Sequence, residues 1–383
     1  MRTVYADNNA TTPVAPEVIE AMMPYFAEQF YNASAISGRA HGVDAAIAKA
    51  RRTVAEVLGA SDPKEIVFTS CATESNNWAI FGAARAHQEH RHLITSKVEH
   101  PSVLEVCMSL IKDGYDVTFL NVDTDGSLSI EELIDSIRPN TLLVTLMTAN
   151  NETGVIFPID RLSAAVKEHN PAIIFHTDAT QYVGKLPVDL NEGFEHVDFM
   201  SFSGHKIHGP KGIGGLFIRK ATPLAPLLYG GHQESGRRSG TENVPGIVGL
   251  AKALELANPN LENAKSMESL RDRLEKELLE RFPSTLVNGG GAHRLPNTLS
   301  LAFRDIDSET LLHQLANEGV YASNGSACSS GSLDPSHVLR AMKVPYDYLM
   351  GSIRFSFSRF NCSEDVRTIV EKMEKILSVS NCQ

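Results

Sequence analysis

From Ile66 to Ile218 the chain alternates short apolar runs with stretches of helical periodicity, and this pattern restricts the fold more than any other feature. Ile66–Thr69, Leu93–Thr95, Val117–Leu120, Leu142–Leu146, Ile173–Phe175, Val197–Phe202 and Gly215–Ile218 read as strands. Among the helical stretches, Ala45–Leu58 places Ile47, Ala50, Val54 and Leu58 on one face. Strands that alternate with helices build an α/β fold, here a seven-stranded, mostly parallel sheet with helices on its faces. Such sheets bind ligands beyond the carboxyl ends of their strands. Thr73, Asn151, Asp178 and Lys206 all fall at or just after a strand end in this reading.

A second organisation begins near Ala257. A polar helix over Ser266–Arg281 carries Glu268, Asp272 and Arg273 at charge-pairing spacings, and Asn297–Phe303 and Arg354–Phe357 read as strands of a smaller α+β unit. The expected division is a large domain over 15–256 and a small one over 1–14 and 257–383. The run Asn288–Gly291 lacks the strand and helix that a dinucleotide fingerprint requires, so it reads as a turn.

The 383 residues suffice for two cores, and the formal charge of −11 argues against nucleic acid as a main partner. The longest apolar stretches have strand length, so no membrane span is expected, and the first residues lack the apolar core of a signal peptide. Cys71, Cys107, Cys328, Cys362 and Cys382 are scattered and form no C-x-x-C pair. That suits a reducing cytoplasm better than a disulfide framework or a zinc site.

The chemistry gathers around Lys206. In Ser201–Gly212 it lies between small residues and histidines, directly after a strand, in a segment too rich in Gly and Pro for a helix face. It is either an ordinary turn lysine or a Schiff-base former, and pyridoxal phosphate (PLP) is the commonest cofactor that uses one. The other parts a PLP site needs have candidates. Thr73 opens a helix after the first strand, where backbone N–H groups and the helix dipole would hold a phosphate; a plain Ser/Thr cap is the alternative. Asp178 could keep a pyridine nitrogen protonated or merely cap a helix, and Gln181 could reach a ring oxygen. His100, before Pro101, could stack on the ring or serve structure alone, and Asn150–Gly154 adds amides or a simple turn.

Cys328 stands apart from the other cysteines, which read as structural or incidental. Its loop, Ser323–Ser332, consists of small polar residues, so it is a candidate nucleophile rather than a packed thiol. Arg354 sits in a strand-like run, as a carboxylate clamp or a surface salt bridge. Asn121–Glu132 imitates a calcium loop, with Asp123 and Asp125 in ligand positions. A strand rather than a helix precedes it, so it reads as a polar strand–turn–helix junction.

Taken together, these segments resemble the cysteine desulfurases of the NifS/IscS type in the class V aminotransferase family. The matching segments are Tyr5–Thr12, Ala72–Asn76, Glu99–Pro101, Asn150–Gly154, Asp178–Gln181, Ser203–Lys206, Arg237–Asn243, Gly325–Gly331 and Ser352–Ser356. The short loop after Cys328 and Met342–Tyr346 are more similar to the nitrogen-fixation (NifS) branch. The resemblance implies a PLP-dependent transferase of fold type I that works as a homodimer. Lys206 would bind the cofactor covalently and later move protons, with His100 on the ring. Asp178 and Gln181 would hold the ring nitrogen and oxygen. Ala72, Thr73, Ser203 and His205 would cradle the phosphate, joined by Thr241 from the other subunit. Asn151 and Arg354 would hold the carboxylate of L-cysteine. Cys328 would take the sulfur as a persulfide, leaving alanine, and an iron–sulfur scaffold protein would accept it. No metal is implied beyond a transient iron–sulfur contact at Cys328. A selenocysteine lyase or another PLP enzyme of the same fold is the alternative. The chain departs from the family at Asn32–Ser37, which lacks the usual Pro after the Asn and a His near position 37.

Overall fold

A computed structural model describes residues 2–36, 40–257, 261–324 and 335–380. Cys328, Ser37 and Cys382 lie outside the described residues. The strands are β1 (Val4–Tyr5), β2 (Ile66–Thr69), β3 (His92–Ser96), β4 (Asp116–Leu120), β5 (Thr141–Met147), β6 (Ile174–Asp178), β7 (Phe199–Ser203), β8 (Gly214–Ile218), β9 (Thr285–Val287), β10 (Thr298–Phe303), β11 (Val320–Tyr321) and β12 (Ser352–Ser356).

The main sheet has seven strands in the order β2-β8-β7-β6-β5-β3-β4. Pairing is parallel from β7 through β6, β5 and β3 to β4, and antiparallel only where β8 meets β2 and β7. Because β8 runs against both neighbours, β2 runs with β7. The segments that carry Thr73, His100, Asn151, Asp178 and Lys206 therefore leave the same edge of the sheet.

The period-2 pattern of the strands divides two cores. Ile94, Val144, Phe175 and Met200 face one layer, which includes residues of the helices Ala40–Leu58 and Val244–Ala257. Their neighbours Leu93, Leu143, Ile174 and Phe199 face the other, with Trp78, Ile80 and Val106 of the helices Ala72–Ala86 and Pro101–Lys112. Burial on both faces explains why these strands read as continuous apolar runs.

The smaller unit is an antiparallel sheet in the order β12-β10-β9. Leu299, Leu301, Ile353 and Phe355 form its core with Leu270 and Leu274 of Leu261–Arg281 and Val370 and Met373 of Ser363–Ser380. β1 and β11 pair in parallel over only two residues each. The charge pairing of Leu261–Arg281 differs from the expectation. Arg271, buried at the small unit, binds both Glu268 and Asp272, whereas Arg273 pairs with Glu277. Glu268 and Asp272 do not attract each other; a shared cation holds them.

The segment Asp7–Thr12 stitches the two sheets together. Asn8 and Asn9 donate to the backbone O and Oγ of Ser356, Asn9 Nδ2 donates to Thr298 Oγ1, and Thr12 N donates to His205 O. This places Asn9, Ala10 and Thr12 against the turn that carries Lys206.

Two loops are turns, as expected. Asp123 Oδ1 accepts from the backbone of Asp125 and Ser127, while Asn121 Nδ2 donates to Glu132. Asp125 also accepts from Gly291 N, so the acidic loop and the Gly-rich loop brace each other. At the departure from the family pattern, Asn32 Oδ1 accepts from Ser34 N, and Ile36 is 97% exposed.

Candidate active site

The carboxyl edge of the main sheet opens into a cavity of about 340 Å³ between the two units. Ala72, Thr73, His100, Asn151, Asp178, Gln181, Ser203, His205, Lys206 and Arg354 all line it. The structure thus brings together residues up to 282 positions apart. Thr241 does not line this chain's cavity; it lies on an exposed loop.

Lys206 closes a 3-10 turn, Gly204–Lys206, that follows β7 without a break. Its Nζ donates to the carbonyl oxygens of Asn9 (2.7 Å) and Ala10 (2.9 Å). His205 is held by Thr11 Oγ1 at 3.1 Å, and burial beside Lys206 pushes its pKa down to about 4. It is neutral at pH 7.

Asp178 ends β6 and is buried. Oδ1 accepts from Thr180 N at 3.0 Å, a local turn bond, and Oδ2 accepts from Asn76 Nδ2 at 2.7 Å. Both the cap-like role and the cavity-facing role are therefore present in one carboxylate.

His100 is the N-cap of Pro101–Lys112. Its Nδ1 accepts from Ser102 N at 3.1 Å and lies 2.8 Å from Ser102 Oγ. A backbone N–H can only donate, so Nδ1 carries no proton and the ring proton sits on Nε2. Asn76 Nδ2 donates to Ser102 Oγ at 2.8 Å as well as to Asp178. A continuous buried relay thus runs from Asp178 through Asn76 and Ser102 to His100. Burial lowers the His100 pKa, with Asp178 opposing and Lys206 and His337 reinforcing the shift.

Arg354 reaches the cavity from β12 and is 2% exposed. It pairs with Asp7 Oδ1 at 2.5 Å and donates to Asn151 O at 2.9 Å. The surface-salt-bridge reading of this arginine is excluded by its burial. Glu152, beside Asn151, is buried and accepts from Ser336 Oγ, and burial raises its pKa. Ser336 begins the first described helix after the Cys328 loop, and on the near side of that loop Ser323 exchanges backbone hydrogen bonds with Arg354. Both described flanks of the loop are thereby pinned to cavity-lining residues.

The donor set fits PLP. The helix Ala72–Ala86 starts with Cys71 as N-cap and no side-chain cap, so its first N–H groups point toward the cavity's Thr73 side. Ser203 Oγ is buried there with no hydrogen-bond partner among the described residues. An unsatisfied buried hydroxyl beside uncapped N–H groups suits a phosphate. The buried Asp178 suits a pyridinium, and the Lys206 amine a carbonyl.

Asn76, Ser102, Asp7, Glu152 and Lys185 were missed by sequence reasoning. Asn76 looks like one more polar residue in a helix turn, and nothing local marks its two acceptors. Cys71, expected to be incidental, lines the cavity at the helix N-cap, whereas Cys107 is fully buried, its pKa pushed up to about 12.

A large parallel sheet with a lysine turn at its carboxyl edge is the architecture of PLP-dependent transferases of fold type I. The chain belongs to the class-V aminotransferase family, which it matches over residues 4–369. It is 51% identical over 378 residues to a cysteine desulfurase of Trichormus azollae, covering 98% of this chain and 93% of that protein. It is 45% identical over 379 residues to the cysteine desulfurase NifS of Azotobacter vinelandii, covering 99% and 93%. A solved NifS-like protein superposes with a TM-score of 0.93 at 41% identity, covering 99% of this chain and all of that one.

Proposed function

We propose that the protein is a PLP-dependent cysteine desulfurase that converts L-cysteine to L-alanine and passes the sulfur to Cys328. The convergence of Lys206, Asp178, His100 and Arg354 on one cavity carries this reading, and relatives of about half identity named for the same activity support it.

Bound in the cavity, PLP supplies an electron sink for bonds at Cα of the amino acid. Lys206 is its covalent anchor and afterwards moves protons at its Nζ. Asp178 would keep a proton on the ring nitrogen, Gln181 would donate to the ring oxygen, and His100, with its proton on Nε2, would hold the ring. Ala72, Thr73, Ser203 and His205 would hold the phosphate, with Thr241 supplied by the partner subunit of a homodimer. Arg354 and Asn151 hold the substrate carboxylate, and Asp7 fixes the guanidinium from behind. The Cys328 thiolate forms a bond to the substrate sulfur as the C–S bond breaks with its electron pair going to carbon. A proton then completes alanine, and Cys328 keeps the extra sulfur as a persulfide. Residues 15–256 form the cofactor-binding domain, and 1–14 with 257–383 form the domain that carries the Cys328 loop. An iron–sulfur scaffold protein in the cytoplasm takes the sulfur, in nitrogen-fixation service. None of the described helices is long and apolar enough to cross a membrane.

The test is mass spectrometry of Cys328 after mixing the holoenzyme with L-cysteine. One added sulfur atom is expected, together with alanine, and Lys206→Ala should abolish both. Full alanine production by Cys328→Ala would sink the persulfide step.

A further inference from the structure

Lys185 is a buried lysine that the proposed chemistry does not use, and burial beside Lys206 and Arg354 lowers its pKa well below the usual lysine value. It is 7% exposed, and its Nζ donates to Gln181 Oε1 at 2.6 Å and Asn9 Oδ1 at 2.8 Å. Among the described residues no carboxylate pairs with it, and the charged groups that act on it are Lys206 and Arg354, both cations. Burying a lysine against two amides and two like charges costs stability, and a pair of apolar side chains would fill the space without that cost.

The geometry gives the cost a purpose. Lys185 Nζ meets the oxygen end of the Gln181 amide, and toward that oxygen it can only donate. The nitrogen end is held too, since Gln181 Nε2 donates to Asn9 O at 3.0 Å. That carbonyl is the same one that receives Lys206 Nζ. Asn9 is itself fixed: its Oδ1 also accepts from Asn297 Nδ2, and its Nδ2 donates to Thr298 Oγ1 and Asn151 O. With Oε1 taken by Lys185 and one Nε2–H taken by Asn9, the Gln181 amide has a single N–H left, and Gln181 lines the cavity.

We infer that Lys185 is a positioning residue: it clamps the Gln181 amide so that only a donor faces the cofactor's ring hydroxyl oxygen. The inference rests on the PLP reading above. Without Lys185 only the bond from Nε2 to Asn9 O holds the amide, and an amide that turned would present an acceptor, which would repel a ring oxygen carrying negative charge.

The experiment titrates apoprotein with PLP and with a PLP analogue that lacks the ring hydroxyl. Lys185→Met preserves length and apolar bulk but removes the donor. We expect its Kd for PLP to rise about tenfold, the effect of one hydrogen bond to a charged acceptor, and its Kd for the analogue to stay within about twofold. In a Gln181→Ala background Lys185→Met should add nothing. Lys185→Arg, still a donor, should recover part of the preference for PLP. Equal losses for both ligands, no loss for either, or additive effects with Gln181→Ala would overturn the inference. Should Lys185→Met not fold, Lys185→Leu, which also lacks a donor, gives the same contrast between the two ligands. Failure of the wild-type apoprotein to bind PLP would instead overturn the cofactor reading.

Discussion

The two ends of strand β3 carry histidines with opposite lives. His92 opens the strand at the amino edge of the main sheet, fully buried, with Nδ1 bound to Thr141 Oγ1 at 2.8 Å and Nε2 to Thr118 Oγ1 at 2.9 Å. His100 follows the strand at the carboxyl edge, where one nitrogen is pinned by Ser102 and the ring lines a cavity. Four of the buried polar atoms with no partner among the described residues lie at the carboxyl edge, Asn76 Oδ1, Glu99 Oε2, Thr180 Oγ1 and Ser203 Oγ, while others, such as His87 Nε2 and Thr285 Oγ1, lie elsewhere. Polar groups satisfied within the sheet, as at His92, are architecture. A carboxyl edge that leaves them open is a site prepared for something else.

Breaking the carboxyl edge should cost activity and little stability. Asp178→Ala removes a preorganised charge, so alanine formation should fall by about 10²–10³-fold, measured as kcat with saturating PLP. The amino edge should respond the other way. His92→Ala strands two threonine hydroxyls and opens a cavity, so unfolding free energy should drop by about 2–3 kcal/mol in urea titration while kcat per folded molecule is unchanged. Asn76→Ala tests the relay between these extremes. It removes the donor shared by Asp178 and Ser102, which should lower kcat by about tenfold. It also removes an unsatisfied buried carbonyl, so the melting temperature should change little. A large stability loss with normal kcat would place Asn76 with His92 rather than with the site.

Much of the carboxyl edge was legible because its chemistry is local. Lys206, Asp178 and His100 each lie within a few residues of a strand end, and alternating apolar runs locate strand ends. Strand extents were less legible: β6 runs on to Asp178, past the apolar run that ends at Phe175, because a buried polar residue such as His176, beside Ser201 of β7, does not look like strand interior. These two bond each other across the sheet at 3.0 Å, a partnership no single window contains. The supporting residues were illegible for the same reason. Asp7 meets Arg354 across 347 positions, and Lys185 meets Asn9 across 176. β1 and β11 are too short for any periodicity.

The two edges also differ in which side of the pH scale they endanger, and this gives the subtlest test. Burial pushes His92 down to about 4, so the folded protein holds it neutral where the unfolded chain would already be protonated. Its contribution to stability is complete above the unfolded value of about 6.5 and is lost as pH falls toward 4. Glu99 runs the other way. It is fully buried, and burial with Asp178 nearby raises its pKa to about 8, against the bonds from Ser96 Oγ and Met147 N. The folded protein keeps its proton where the unfolded chain has released it. That contribution is complete below the unfolded value of about 4.5 and is lost as pH rises to 8. Glu99→Gln, which keeps a neutral group of the same shape, should therefore flatten the decline of stability between pH 5 and 8 and leave the acid limb alone. His92→Gln should flatten the limb between pH 6.5 and 4 and leave the alkaline one. Urea unfolding at a series of pH values reads both. If Glu99→Gln altered the acid limb instead, the carboxyl edge would be holding Glu99 as an anion, and the contrast between the two edges would fail at its most buried residue.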